Sequence, residues 1–228
     1  MKKLLFGIFA HPDDEAFGPC GTLLQEVSDD TELHLYTLTL GEAGQNPDNV
    51  PNLGEIREAE WRAAGAKIGA TSLQTLCYAD GHLDNIAMQA VSAKLLSDIR
   101  DLIARHSDSI QVEFITLDPN GLTGHIDHIV AARSASYVFH HLKRQGLPLS
   151  RIRYYCSSDT QVPEPSIDWI YADKGRSANE ISETVDCRAR RDEILAIMQE
   201  HRSQRADYDF VVAKRGDDIG LDHFLVAV

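Results

Sequence analysis

Short apolar runs alternate with helical segments along most of the chain, and this alternation limits the fold more than any other feature. Lys3–Ala10, Leu33–Leu40, Leu73–Tyr78, Val112–Leu117 and Arg151–Ser157 are rich in branched, aromatic and other apolar residues and read as strands. Between them, Glu15–Val27, Gly54–Ile68, Ile86–His106 and a stretch from about Ile126 to Gln145 read as helices. Gly69 ends the second of these, and Gly146 and Pro148 close the last. The stretch Gly41–Leu53, rich in Gly, Asn and Pro, is a loop. Such regular alternation implies βαβ units, hence an α/β, Rossmann-like domain with a mostly parallel sheet and helices on both faces. Past Ser157 the pattern loosens. Pro163 and Pro165 mark an irregular connection, Arg188–His201 reads as a helix, and Tyr208–Ala213 and Leu221–Val228 read as late strands. With no internal repeat or linker, a single domain over residues 1–228 is expected.

The 228 residues suffice to bury roughly 70 % of the surface an unfolded chain exposes. A net charge of −13 makes nucleic acid and anionic membranes poor partners, because both reward basic patches. The four cysteines, Cys20, Cys77, Cys156 and Cys187, form no C-x-x-C pair, so neither a zinc ribbon nor a thioredoxin-type motif is supported. Free, mostly buried thiols in a reducing cytoplasm are expected. The apolar run Leu4–Phe9 leads straight into charged residues, so it reads as a first core strand rather than a signal peptide or membrane span.

That first run ends in Ala10-His11-Pro12-Asp13-Asp14-Glu15. A histidine and two carboxylates therefore stand at a strand's C-terminal end, just before a helix, where open α/β sheets bind ligands. A second cluster, Gly124-His125-Ile126-Asp127-His128, follows the run Val112–Leu117 in an equivalent place. Taken alone, the first cluster is also compatible with simple capping, Asp13 or Asp14 accepting backbone N–H groups at the helix start. Two such clusters, each between a strand and a helix, point instead to one metal site assembled across the sheet.

His11 and Asp14 lie close enough along the chain to share an ion, and the second cluster offers His125 or His128 as a third ligand. Their spacing leaves open which one binds. Two histidines and a carboxylate leave a zinc ion with net positive charge, which lowers the pKa of a bound water toward about 7. Asp13 is then a spare carboxylate, placed to act as general base. The same donor set suits Fe2+ and other divalent metals as well as Zn2+.

Together these motifs resemble the PIG-L or LmbE-like family of zinc-dependent N-deacetylases. The A-H-P-D-D-E segment is matched in full by Ala10–Glu15, and the family's H-P-D-H segment by His125-Ile126-Asp127-His128, with Ile126 in place of Pro. Thr39-Leu40-Gly41-Glu42-Ala43-Gly44 is similar to a T-x-G-E-x-G loop, and Gly54–Glu60 to a G-x-x-R-x-x-E helix start. Ala79-Asp80-Gly81-His82-Leu83 resembles P-D-G-x-L, with Ala79 in place of Pro, and His201-Arg202-Ser203-Gln204 resembles H-x-S-Q. The likeness runs from residue 4 to about residue 204.

The resemblance implies that His11, Asp14 and His128 hold zinc and that Asp13 is the general base. It implies that His125 faces the developing oxyanion or protonates the leaving amine, with Asp127 orienting and charging its ring. Arg57 is expected to grip sugar hydroxyls or an acidic group of the substrate, with an exposed pairing to Glu60 or another neighbour as the alternative, and Asp80 to contact sugar hydroxyls or else to form the turn before Gly81. Glu15 is expected to support the helix start, Cys20 to be packed core, and His201 to line the site. His82, His106, His140, His141 and His223 are given no role. The activity implied is hydrolysis of an N-acetyl amide on an N-acetylglucosamine-type conjugate. Alternatives are an amidase cleaving a larger acyl group from a sugar–thiol conjugate, or a sugar-binding protein without turnover. The partner is then a small N-acetylated sugar conjugate, with homo-oligomer formation left open.

Overall fold

The computed structural model describes residues 1–106, 109–122, 124–162 and 175–228. Seven strands form one sheet in the order β3-β2-β1-β4-β5-β7-β6. They are β1 (Lys2–Phe9), β2 (Thr31–Thr39), β3 (Ser72–Tyr78), β4 (Ile110–Leu117), β5 (Leu149–Cys156), β6 (Glu183–Asp186) and β7 (Leu221–Ala227). The first five are mutually parallel, and β7 runs antiparallel to both β5 and β6. The chain winds outward from β1 through β2 to β3, then returns to lay β4 against the other edge of β1. The β1–β4 boundary is therefore the topological switch point, where flanking connections diverge and leave a crevice at the strands' C-terminal ends. Both motif clusters end there.

Side-chain alternation along β1 explains why the sheet needs cover on both faces. Leu4, Phe6 and Ile8 join one core with Leu95 and Ile99 of α4 (Asn85–Ala104) and Val138 and Phe139 of α5 (Ile126–Arg144). Leu5 and Phe9 join the other, with Leu23 of α2 (Cys20–Glu26), Trp61 of α3 (Leu53–Ile68) and Ile194 of α6 (Arg191–Met198). Cys20, Cys156 and Cys187 are buried free thiols, Cys20 within the second core, whereas Cys77 is exposed. No helix among the described residues is long and apolar enough to cross a membrane.

Three late or local details depart from the sequence reading. The single helix expected over Glu15–Val27 is two, α1 (Asp14–Phe17) and α2, separated by Gly18 and Pro19. Proline disfavours the helical region for the residue before it, and Gly18 sits at φ −96°, ψ −118°. The strand expected over Tyr208–Ala213 lies inside helix α7 (Arg205–Arg215). Its Tyr-Asp-Phe-Val-Val run mimics strand alternation, but Tyr208, Val211 and Val212 pack partly against the second core at helical spacing while Phe210 is exposed. Strand β6 is a four-residue polar edge and carries little apolar signal in the sequence. Pro163 and Pro165 lie outside the described residues.

Candidate metal centre

The turn from β1 into α1 brings its donors together by unusual backbone geometry. Asp13 adopts φ +124°, a conformation that side-chain-bearing residues rarely take. The peptides on either side hold it there. Asp13 N–H donates to Glu15 Oε2 at 3.2 Å, and the Asp13 carbonyl accepts from Ala16 and Phe17 N–H at 2.9 and 2.8 Å. The next residue, Asp14, turns its carboxylate back on the strand end, where Oδ2 accepts from the N–H groups of Ala10 and His11 at 3.0 and 2.9 Å. Burial works against the Asp14 charge, but His128, His11 and these bonds outweigh it and hold the carboxyl well below the usual range.

From the neighbouring strand, β4, the chain turns at Asp118–Gly121 and enters α5 with His125 as its N-cap. His128 lies in the first turn. Its Nδ1 faces the Gly121 carbonyl at 3.1 Å, so Nδ1–H donates there and Nε2 keeps its lone pair. Gly121 must be glycine for this. Its φ is +82°, and a Cβ would stand 2.7 Å from the His125 carbonyl oxygen. Arg176 fixes the same turn through two 2.8 Å bonds to Asp118.

Across the two strand ends, His11 Nδ1 lies 3.1 Å from His128 Nε2. Asp14 Oδ1 lies 3.2 Å from His128 Nε2, and Asp14 Oδ2 lies 3.8 Å from His11 Nδ1. Donor atoms about 2.0–2.2 Å from a tetrahedral zinc stand about 3.3 Å apart. Asp14 thus turns one oxygen toward each of the two rings. His125 also falls within the histidine cluster of His11 and His128. We favour Asp14 as the third donor because its carboxylate is aimed by two backbone N–H bonds, whereas His125 Nδ1 accepts the Asp127 N–H at 3.2 Å.

The other nitrogen of His11 meets a second set of carboxylates. Nε2 lies 3.0 Å from Asp80 Oδ1 and 3.4 Å from Asp127 Oδ2. A ligating imidazole commonly turns its remaining N–H toward a carboxylate, which fixes the tautomer and strengthens the ligand. His11, Asp80 and Asp127 are also close enough to be ligands in their own right. Asp127, however, is already held by Gly81 N–H (2.8 Å) and Leu83 N–H (3.2 Å), and Asp80 by Ala43 N–H (2.9 Å). Burial disfavours a charged His11, yet hydrogen bonds to Asp127 and Asp80 and the Asp14 charge raise it to about 10 in the metal-free protein. Burial likewise disfavours a charged Asp80, but His11 outweighs it and holds the carboxyl at about 2.

Arg57 and Asp80, expected at the substrate, are both committed within the protein. Arg57 is buried on α3. Its Nη2 donates to Asp13 Oδ2 and to the Pro12 carbonyl, both at 2.7 Å, and its Nη1 to the Gly41 carbonyl at 2.8 Å. Gly41, at φ +66°, leaves the room: a Cβ there would stand 2.4 Å from Arg57 Cζ. Burial raises Asp13 to about 6, with Arg57 working in the opposite sense. Burial, His128 and His11 together lower His125.

His201, expected to line the site, is a wholly buried partner of Glu15 at 2.9 Å. Glu60, which the sequence does not mark as a site residue, stands on the same helix as Arg57. It accepts from Ser203 N–H (2.9 Å) and Oγ–H (2.7 Å). Both residues stand in motifs visible in the sequence, G-x-x-R-x-x-E and H-x-S-Q, but only the fold reveals that these motifs bind each other. His82, His106, His140, His141 and His223 lie outside the donor cluster.

A family model described as PIG-L, GlcNAc-PI de-N-acetylase, matches residues 6–139. A 1D-myo-inositol 2-acetamido-2-deoxy-alpha-D-glucopyranoside deacetylase of Mycolicibacterium smegmatis is 34 % identical over 145 residues, covering 56 % of this chain and 49 % of that protein. The same-named enzyme of Thermomonospora curvata is 26 % identical over 97 % of this chain and 85 % of its own length. Apart from that match, the chain spans about half the length of the curated relatives it resembles. Among solved structures, N,N'-diacetylchitobiose deacetylase of Pyrococcus horikoshii superimposes with a TM-score of 0.67 at 17 % identity, over 99 % of this chain and 84 % of that one. The 4-carboxy-2-hydroxymuconate hydratase of Pseudomonas putida does so with a TM-score of 0.71 at 14 % identity, over 100 % and 97 %. At such identities these two likenesses establish the fold alone.

Proposed function

This chain belongs to the PIG-L family, and on that premise we propose that it is a metal-dependent hydrolase removing the N-acetyl group from an N-acetylglucosamine-type conjugate. One observation carries the reading. A three-donor cluster of His11, Asp14 and His128 stands beside a separate buried carboxylate, Asp13, which Arg57 holds by one oxygen. Three protein donors of this kind are the usual set of a catalytic zinc site, whereas structural sites are closed and rich in Cys.

His11 Nδ1, His128 Nε2 and the Asp14 carboxylate are the atoms that would hold the ion. When bound, zinc or another divalent metal supplies Lewis-acid polarisation of the amide carbonyl and acidifies a water. Asp13 takes the proton from the attacking water and returns it to the leaving nitrogen, so that the amide and water become acetate and amine. Its pKa, raised to about 6, suits a base working near neutral pH. Arg57 keeps that carboxylate aimed rather than touching the sugar. His125, its Nδ1 engaged by the Asp127 N–H, works as a neutral ring that donates from Nε2 to the oxygen gaining charge. Asp80 and Asp127 orient His11 from behind.

The sugar assignment draws on the relatives, whose names specify an acetamido-deoxyglucopyranoside on inositol. The test is release of acetate and free amine from a panel of N-acetylglucosamine conjugates by metal-loaded, chelated and Asp13→Asn protein. Turnover that needs both the metal and Asp13 is the expected result. Turnover surviving chelation, or none from any conjugate with the metal fully bound, would overturn the reading.

A further inference from the structure

We propose that His201 and Ser203, far along the chain from the metal cluster, are positioning residues for Asp13, acting through Glu15 and through α3. The catalytic part of this inference rests on the function proposed above; its structural part does not.

The Asp13 N–H is held by Glu15 Oε2 at 3.2 Å, and the opposite oxygen of the same carboxylate, Oε1, lies 2.9 Å from His201 Nε2. Glu15 and the His201 side chain are fully buried, so neither group has bulk water as a substitute partner. A carboxylate with one oxygen on a backbone N–H and the other on an imidazole N–H cannot rotate without breaking one bond. This restraint acts on the peptide that carries the φ +124° residue, a conformation that persists only when its surroundings over-determine it.

Two residues later the same segment grips the other end of Asp13. Ser203 donates its N–H and its hydroxyl to the two oxygens of Glu60, on the helix that carries Arg57. Arg57 in turn holds the Asp13 carboxylate and the Pro12 carbonyl. Residues 201–204 thus reach the base by two routes, to its backbone through Glu15 and to its side chain through α3. The segment itself is pinned by His201 N–H to the Met198 carbonyl (3.2 Å) and Gln204 N–H to the His201 carbonyl (3.0 Å). None of these residues belongs to the donor trio, and the end point common to both routes is Asp13.

The experiment compares wild type with His201→Ala, His201→Gln, Glu15→Gln and Ser203→Ala, all in the metal-loaded full chain. Gln at 201 can place an N–H near the Nε2 position, and Gln at 15 keeps the shape while losing one acceptor oxygen. Misplacing a catalytic group by about 1 Å can cost about 100-fold. His201→Ala and Glu15→Gln are therefore expected to lower kcat by about that factor, with KM within about twofold and one metal per chain retained. His201→Gln is expected to recover most of the loss. Hydrogen–deuterium exchange over residues 11–17 is expected to quicken in His201→Ala and Glu15→Gln while residues 31–39 stay unchanged. Exchange over 11–17 that matches wild type in both variants would overturn the inference. So would unchanged kcat with only a lowered Tm. The exchange result decides the structural part even if the wild type hydrolyses no amino sugar, and Glu15→Gln serves if His201→Ala fails to fold.

Discussion

Arg57 Nη2 lies 2.7 Å from Asp13 Oδ2 in a setting where both residues are buried. A buried ion pair gains little over an apolar substitute, but removing one partner strands the other as an uncompensated charge. This asymmetry makes the pair a sensitive point for both stability and chemistry.

Arg57→Ala should therefore destabilise the protein by about 3–5 kcal/mol. Arg57→Lys should recover only part of this, because one ammonium cannot reproduce a planar fork that spans Asp13 and two carbonyls. Urea unfolding of the three proteins measures the difference. A loss below 1 kcal/mol in Arg57→Ala would mean that Asp13 finds another partner.

Asp13→Asn should leave metal content near one per chain while lowering kcat by about 10²–10⁴-fold, the usual contribution of a general base. His128→Ala should instead lower the metal content itself. Elemental analysis alongside turnover separates the two effects.

Gly121→Ala should weaken metal binding without touching a ligand. The added Cβ would stand 2.7 Å from the His125 carbonyl oxygen at φ +82°, so the turn that presents an acceptor to His128 Nδ1 must shift. The strain should cost about 1–3 kcal/mol, read as a lower Tm together with weaker zinc affinity. Unaltered affinity would show that His128 is oriented without Gly121.

Metal binding at pH 7.5 should release close to one proton from His11, which is held at about 10 in the metal-free protein. Titration calorimetry in buffers of different ionisation enthalpy counts the protons. The folded-state value lies above the ordinary one near 6.5, so the imidazolium stabilises the metal-free protein fully below about pH 6.5 and loses that contribution as pH rises through about 10. Tm of the metal-free protein should fall across this window, and less so in Asp80→Asn.

Ile126→Pro should stabilise the protein by about 0.4–1 kcal/mol and leave turnover unchanged. Ile126 is the first residue of α5, where the N–H has no acceptor within the helix, and His125 before it is already extended at φ −65°, ψ 125°. Its side chain is 52 % exposed, so a ring meets open space. A drop in Tm would mean that the Ile126 N–H or side chain has a partner worth more than the lost chain freedom.

Much of the scaffold was legible because parallel strands covered on both faces are written as compact apolar runs. The runs Lys3–Ala10 and Val112–Leu117 match β1 and β4 to within one or two residues, and both motif clusters fall at their ends. Helix α7 and strand β6 are hard to read because both are largely polar and neither holds a fully buried apolar side chain. At the site, the residue types were readable but their partners were not. Arg57 and Asp80 look like groups that grip a substrate; only the approach of α3 to the β1 turn, and of the residue 79–84 loop to α5, commits them to Asp13 and His11. An arginine's five donors carry no label of destination in a sequence.

His11 and His128 stand 117 positions apart in the chain yet 3.1 Å apart in space. No fragment ending before α5 can hold all three donors, so an ion that binds them recognises the native arrangement and ignores the unfolded one. Such a ligand acts as a reversible cross-link across the switch point, and mass action adds about 4 kcal/mol of resistance to unfolding when free metal is a thousand times its Kd. Under the proposed function, scarcity of the ion would weaken the same molecule that it silences. The cell's metal supply would set the lifetime of this protein as well as its activity.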